Sequence, residues 1–323
     1  MWDFSFGRAI LMVLQTLPFV ILRGLVYAGM AIAYVAAVGT GAGIGWLLGR
    51  VAGVEAAAGG AFWGGLLGFG LTAAILYLLR EYLLYLLKAA HIAVLVELLD
   101  GKSVPAGKSQ IGYGKDAVAA RFTESSVLFG LDQLIKGVLG AIAGLVRGLT
   151  AFLPIPALRT LVSLFNAVMR MSLTYVDEII LAHLIRSRTA NPWATAQDGL
   201  VLYAQNYRPL LRNAAWLTVL MWAAMGILFV SFLAPAAALL AVFPRAASVW
   251  VFVLALVFAW AVKKAVMEPI AIAALMQVYF AVIAGQTPDP AWRARLDESS
   301  ARFRDLGRKA GAWVMGKTSP GPA

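Results

Sequence analysis

Long apolar stretches alternate along the chain with short charged ones. Five stretches of 17 or more residues lack any charged residue, and they are residues 24–49, 56–79, 213–244, 246–262 and 269–288. A bilayer core requires about 20 consecutive, predominantly apolar residues per helix. The first two stretches therefore predict two membrane spans with a short connection near residues 50–55. The third predicts one helix to about Leu233, followed by an apolar loop through Pro235 and Pro244.

The last two stretches are separated by Lys263, Lys264 and Glu268. This spacing predicts a helix that leaves the membrane and continues, with a kink at Pro269. We expect four spans, and a fifth if residues 269–285 re-enter the bilayer. The predicted fold class is all-α: a polytopic integral membrane protein with about four transmembrane helices in two similar hairpins, plus long cytoplasmic or interfacial amphipathic helices.

The same pattern divides the chain into five predicted segments. They are an N-terminal interfacial helix (1–23), a first membrane hairpin with an extended cytoplasmic helix (24–100), a basic cytoplasmic or interfacial helical segment (101–212), a second hairpin with an extended helix (213–285) and a basic amphipathic tail (286–323). Within the middle segment, residues 116–147 predict an interfacial helix and residues 158–185 a long helix. Asn191-Pro-Trp is expected to open a further helix at Thr195, where Asp198 suits a capping box.

The two hairpins are followed by similar sequences. A Gly–polar–Pro breaker begins at Gly101 and at Gly285, and an Ala-Arg-Phe triplet begins at Ala120 and at Ala301. The offsets are 184 residues for the glycines and 181 for the alanines. This order is consistent with a parallel repeat, and the alternative is that any two membrane hairpins look alike.

Composition narrows the class of protein. Of 323 residues, 61% are hydrophobic and 13% charged, against about 45–50% and about 25% in soluble domains. These values exclude an ordinary soluble enzyme, a disordered protein and a nucleic-acid-binding domain. Without cysteine and with two histidines, the chain lacks the usual ligands of zinc and iron–sulfur sites. No nucleophile–base pair or phosphate loop is recognisable, so we expect no enzymatic activity, no cofactor and no metal.

The positive charge is concentrated in two segments. The formal net charge is +11, and residues 101–212 contribute 12 basic against six acidic side chains, while residues 289–323 contribute seven against four. Because Lys and Arg mark the cytoplasmic side, we expect both termini in the cytoplasm, in a bacterial-type inner membrane. The expected partners are the lipid bilayer, anionic lipids and further copies in a homo-oligomer, but not nucleic acid.

Glycines recur in both predicted spans of the first hairpin. Gly60, Gly64 and Gly68 have the four-residue spacing that allows membrane helices to approach closely. The alternating glycines from Gly39 to Gly45 predict a broken helix end, the alternative being carbonyl groups exposed to an ion.

A cationic substrate would need a carboxylate or aromatic faces near the membrane. The candidate substrate-binding residues are Glu268, Tyr34, Trp63, Trp222 and Trp260. Two alternatives remain open: Glu268 pairs with a neighbouring basic residue such as Lys264, and tryptophans near span ends form an interfacial belt.

The segment from Thr195 to Asn206 resembles the Ser-Ala-Lys-Asp-Ala-Phe…Leu-Leu…Asn stretch of the choline transporter-like proteins. Asp198 and Asn206 are the residues that match this family-like motif. Phe165-Asn166 and the helix through Tyr175 to His183 are loosely similar to the family's Asn-Arg-Asn-Ala-Tyr segment, and residues 268–308 are similar to its closing pattern. The family has about ten spans and a cysteine-rich external loop, whereas this chain has no cysteine and room for about half the spans. The resemblance implies an architecture more than choline as a substrate.

Three hypotheses of function follow. The first is a transporter-like protein for a small organic cation or lipid-related solute, as the resemblance implies. The second is a non-transporting membrane scaffold or assembly protein that binds anionic lipids or a cytosolic partner through basic amphipathic helices. The third is an oligomeric channel.

Overall fold

The computed structural model describes residues 2–120, 125–150, 175–240 and 249–318. The regular elements among these residues are all helices. They are α1 (Phe6–Gln15), α2 (Leu17–Ala52), α3 (Ala56–Leu99), α4 (Gln110–Ala119), α5 (Ser125–Thr150), α6 (Val176–Ser187), α7 (Pro192–Gln205), α8 (Tyr207–Leu240), α9 (Val249–Val262), α10 (Glu268–Val282), α11 (Pro290–Ser299) and α12 (Ala301–Thr318). A π-helical turn, Lys263–Met267, joins α9 to α10. The all-α prediction is confirmed over these residues.

Within the described ranges, three helical segments are long and apolar enough to cross a membrane. They are Ala56–Leu76, Tyr207–Ala238 and Ala255–Val282. The number rises to four if the pair Phe6–Gln15 and Leu17–Met30, broken at Thr16, forms one span. These helices indicate a membrane protein, as the hydropathy pattern predicted.

Two predicted helix breaks are absent from the structure. Helix α8 continues past Leu233 to Leu240 with Pro235 inside it, so the prediction of a loop at Pro235 was wrong. Helix α2 likewise passes through Gly39–Gly45 without interruption, against the expected broken end. Proline and glycine both destabilise a helix in water. In an apolar environment the backbone N–H and C=O groups have no water to bond to, so the helix continues through these residues.

The start of α7 also differs from the sequence prediction. The helix begins at Pro192, three residues before Thr195, and Asn191 caps it: the Asn191 side chain accepts a hydrogen bond from the Ala194 N–H at 3.2 Å. Proline is favoured at the first helical position because the N–H of that position has no helical acceptor. The first part of the long helix predicted over 158–185, and the Phe165-Asn166 pair, lie outside the described residues.

The described chain forms two compact units. The hairpin unit comprises residues 18–88, and the main unit comprises residues 1–17 and 89–323. Helix α3 contributes its first part to the hairpin unit and residues 89–99 to the main unit.

Helix α10 lies at the centre of the main unit. Eleven of its 15 residues are buried, including Tyr279, and it packs against α1, α6 and α8. Residues 89–96 of α3 are also buried. The apolar face of α5, with Leu131, Ile135 and Ile142, is covered by α6, α7, α11 and α12. Protein packing therefore accounts for the amphipathic pattern that predicted an interfacial position for α5.

The two halves of the chain share local backbone geometry. Thr16 ends α1 with φ −109° and ψ 29°, and Asn206 ends α7 with φ −105° and ψ 22°. Each of these two helices is followed directly by a long apolar helix. Further along, Gly101 and Gly285 both adopt left-handed conformations, with φ of 73° and 71°. Only glycine reaches this region without a steric penalty.

Candidate functional site

The candidate substrate-binding residues fall into two groups. Tyr34 and Trp63 belong to the hairpin unit, where Trp63 is 62% exposed. Glu268, Trp222 and Trp260 belong to the main unit and lie around the π-helical turn. The second group forms a site with defined contacts, and we call Trp222, Trp260, Lys263, Lys264 and Glu268 the lysine–tryptophan site.

Pro269 explains the π-helical turn. A proline has no N–H to donate to the carbonyl four residues before it, and its ring clashes with that carbonyl. The preceding N–H, that of Glu268, bonds to the Lys263 carbonyl five residues back. The helix thus continues through Pro269 with one widened turn, and such turns often occur at functional positions.

Glu268 is buried and paired within its own helix. Its Oε1 atom accepts a hydrogen bond from Lys264 Nζ at 2.6 Å, and the residue is 4% exposed. Its Oε2 atom is buried and has no hydrogen-bond partner within the described ranges. The sequence alternative, that Glu268 pairs with Lys264, therefore describes the observed contact.

Each tryptophan of the site is covered by a lysine of the same protein. Lys263 Nζ lies 5.1 Å from the Trp222 ring centroid, and Lys264 Nζ lies 6.0 Å from that of Trp260. These distances allow cation–π attraction. Both tryptophans nevertheless remain exposed, Trp222 to 57% and Trp260 to 43%. The rings therefore hold the protein's own ammonium groups where a bound organic cation was expected.

The charge balance of this site is positive. The carboxylate of Glu268 offsets the ammonium of Lys264, whereas no salt bridge of Lys263 occurs within the described ranges. The sequence prediction named the two tryptophans and Glu268, gave Lys264 only as a pairing partner of Glu268, and assigned no role at the site to Lys263. The signal was present, because a pair of lysines directly after an apolar helix marks a membrane boundary.

Asp198 and Asn206 act as packing contacts between helices. Asp198 forms an ion pair with Arg293 of α11. Asn206 Nδ2 donates to Gln286 Oε1 at 2.7 Å and to the Leu202 carbonyl at 2.9 Å. The two residues thus attach α7 and the α7–α8 junction to the segment around α11.

His183 of α6 lies against Gly199 of α7 in a largely buried position. Its ring is 5.8 Å from the Tyr279 ring in an edge-to-face arrangement. Burial lowers the pKa of His183 to about 4, against a smaller opposing effect of Asp198. The imidazole is therefore neutral at pH 7 and serves as a packing group.

In the hairpin unit, the spaced glycines lie at the closest approach of α2 and α3. A Cβ atom on Gly60 would lie 2.1 Å from the Gly45 carbonyl oxygen, and one on Gly64 would lie 2.1 Å from that of Gly41. A Cβ on Gly68 would lie 2.3 Å from the Ala37 carbonyl oxygen. Beside this contact, leucines and Trp63 border an apolar groove of about 440 Å³.

No cluster of three or more potential metal-ligating side chains occurs in the part of the chain that the structure describes. Comparisons with protein-family models, curated proteins and solved structures found no match for this chain.

Proposed function

We propose that this protein is a membrane-anchored helical scaffold that binds anionic lipids at the membrane surface. The observation that carries the proposal is the position of Lys263, directly after the apolar helix α9 and over the exposed Trp222 ring. A basic residue beside an interfacial tryptophan is the arrangement that attracts anionic headgroups.

The chemistry of the lysine–tryptophan site favours an anionic ligand over a cationic one. A cation approaching Trp222 or Trp260 would meet Lys263 or Lys264 at the ring face. The repulsion would oppose binding, whereas a phosphate would gain a charge-assisted hydrogen bond.

Helix continuity supports a scaffold role. Helix α10 continues the apolar helix α9 beyond the π-helical turn, and its side chains form the centre of the main unit. Because packed interiors are close to incompressible, this helix couples the anchor rigidly to the helices around it.

Helix α1 provides a second membrane contact in this proposal. One face, with Ala9, Met12 and Val13, is buried, and α1 packs on α10. Leu11 and Leu14 on the other face are 55% and 54% exposed. An exposed apolar face on a short helix is suited to the interfacial plane of a bilayer.

We extend the proposal to topology. Four spans in two hairpins, related by a repeat of the chain, agree with the matched torsions at Thr16 and Asn206. The positive-inside rule then assigns residues 89–212 and 268–318 to the cytoplasmic side of a bacterial inner membrane.

Lipid-dependent thermal stability tests the proposed function. Full-length protein in detergent micelles doped with phosphatidylglycerol is expected to unfold at a higher temperature than in micelles doped with phosphatidylcholine. Lys263→Gln should reduce this difference, and Lys115→Gln, which removes an exposed charge on α4, should not. Equal midpoints in the two lipids for the wild-type chain would rule the proposal out.

A second candidate function is transport of a small organic cation, as expected for a relative of the choline transporter-like proteins. The buried Glu268 Oε2 atom, without a hydrogen bond among the described residues, favours it. Proteoliposomes containing the full chain would be assayed for uptake of labelled choline. Saturable uptake abolished by Glu268→Gln supports this candidate, and uptake equal to that of empty liposomes excludes choline as the substrate.

A further inference from the structure

Two aromatic rings from distant parts of the chain meet at the start of α8. Tyr207 is the first residue of α8, and Trp292 lies in the first turn of α11. Their ring centroids are 6.1 Å apart, with planes inclined by 60°. No pattern in the sequence indicated this pair.

Each ring carries an exposed arginine. The Arg208 guanidinium lies 5.7 Å from the Tyr207 ring centroid, and its Nε donates a hydrogen bond to Tyr207 Oη at 3.1 Å. The Arg295 guanidinium lies 5.2 Å from the Trp292 ring centroid. The ion pairs of the described ranges include neither arginine. Two guanidinium groups therefore lie at one surface without carboxylate partners there.

A hydrogen-bond network fixes the backbone on both sides of this surface. Gln205 Nε2 donates to Gln286 Oε1 at 2.9 Å, and Gln205 Oε1 accepts from the Asp289 N–H at 2.8 Å. Asn206 also donates to Gln286. The end of α7 is thus attached to the segment that leads into α11. Such preorganisation lowers the entropy lost when a ligand binds.

The position of the group relates it to the membrane. The candidate span Tyr207–Ala238 contains 32 residues, which corresponds to a helix of about 48 Å. The hydrocarbon core is about 30 Å thick, and the bilayer with its headgroups is about 40–45 Å. The helix is therefore longer than the hydrocarbon core, and in the proposed topology its Tyr207 end reaches the cytoplasmic headgroup layer. Tyrosine, tryptophan and arginine are the preferred residues in that layer.

We propose that Arg208 and Arg295 bind the phosphate of an anionic phospholipid headgroup, with Tyr207 and Trp292 as the rigid aromatic support. The guanidinium fork matches phosphate oxygens in pairs, and the Nε bond of Arg208 leaves its two terminal nitrogens available. This inference rests on the proposed function and assigns it a second lipid site, separate from Lys263.

The test is a phosphatidylglycerol titration of the full-length protein in phosphatidylcholine nanodiscs, with bound lipid counted by native mass spectrometry. The double variant Arg208→Gln/Arg295→Gln is expected to lower apparent affinity about 30-fold, at about fivefold per arginine. The matched control Lys115→Gln/Arg304→Gln removes the same charge from exposed positions on α4 and α12 and should change affinity by less than about twofold. Arg208→Lys/Arg295→Lys should recover only part of the loss, because lysine lacks the fork.

The outcomes separate this site from the general proposal. If the arginine variant binds as the wild type does while Lys263→Gln weakens binding, the second site is wrong and the proposed function stands. If the wild type shows no preference for phosphatidylglycerol, both fail. If soluble glycerol phosphate at equal concentration displaces the lipid, the surface takes a free anion and the lipid assignment is overturned. If the matched control loses as much affinity for phosphatidylglycerol as the arginine variant does, net charge alone explains the effect, and the proposed site is also overturned.

Discussion

Arg188 Nη2 lies 3.1 Å from Glu97 Oε1. Within the described ranges, Arg188 is also the one residue other than glycine that has a positive φ angle, 53°. The contact joins the end of α6 to the end of α3. Glu97 also accepts a hydrogen bond from Tyr113 Oη at 2.9 Å. Because Glu97 is buried to 9% exposure, these donors compensate a carboxylate that has lost most of its hydration.

Comparing two replacements of Arg188 separates the energetic cost of its left-handed backbone conformation from the contribution of its ion pair with Glu97. A left-handed conformation costs a non-glycine residue about 1 kcal/mol, whereas Arg188→Gly and Arg188→Ala both remove the ion pair with Glu97. We therefore expect Arg188→Gly to be more stable than Arg188→Ala by about 1 kcal/mol. Thermal unfolding of both variants in one detergent measures the difference, and equal midpoints would show that the backbone at this position carries no strain.

The glycine contact between α2 and α3 predicts a large difference between neighbouring glycines. Gly64→Ala forces a Cβ against the Gly41 carbonyl, so we expect a loss of about 1–3 kcal/mol. A Cβ atom on Gly59, in the same helix, would have no atom of a neighbouring segment within 4 Å, and Gly59→Ala should be neutral or stabilising by up to about 1 kcal/mol. Helix content followed during heating gives both values. Similar stability of the two variants would contradict the close approach.

The Lys264–Glu268 pair predicts unequal effects of its two partners. Lys264→Met leaves a buried carboxylate without its donor, whereas Glu268→Gln leaves a lysine whose side chain is 31% exposed. Breaking a buried pair costs about 3–5 kcal/mol when an uncompensated charge remains buried. We expect Lys264→Met to lower the unfolding temperature more than Glu268→Gln does. The double variant should recover part of the loss, and additive effects of the single changes would argue against a direct interaction.

The buried His183 predicts a loss of stability in mild acid. Its pKa is about 4 in the folded protein and about 6.5 in an unfolded chain. The unfolded state therefore binds the proton first, so stability is complete above about pH 6.5 and declines as the pH falls towards about 4, by up to about 3 kcal/mol. Denaturant titrations at pH 7 and pH 4.5 measure this decline. His183→Gln should show a smaller difference between the two pH values, and an unchanged difference would assign the effect to other groups.

Single cysteines in this cysteine-free chain test the proposed topology. Val54 is 84% exposed in the turn between α2 and α3, and Ser299 is exposed at the end of α11. A membrane-impermeant maleimide should label Val54→Cys in intact cells and Ser299→Cys only after lysis, because an odd number of spans separates the two positions in the proposed topology. Labelling of both residues from one side would require an even number of spans between them and would contradict that topology.

The sequence pattern predicted much of the helical architecture but placed several helix ends incorrectly. The hydropathy of residues 56–79 and 213–244 was sufficient to predict a long apolar helix in each stretch, because membrane insertion depends on the summed transfer energies of the residues. The break expected at Pro235 did not occur, since local propensity is outweighed when backbone groups lack water. Of the residues in the lysine–tryptophan site, the sequence prediction named Glu268, Trp222 and Trp260 as candidate substrate-binding residues and Lys264 only as a pairing partner of Glu268, and it did not single out Lys263.

The sequence by itself determined the helical class, the apolar segments able to span a bilayer and the segregation of positive charge, because these depend on composition and periodicity. Only the tertiary structure decided which charges meet. It paired Asp198 with Arg293, covered Trp222 with Lys263, and brought Tyr207 next to Trp292 from 85 positions away. Contacts between distant residues depend on how the helices pack, and helix packing depends on side-chain shape across several elements at once.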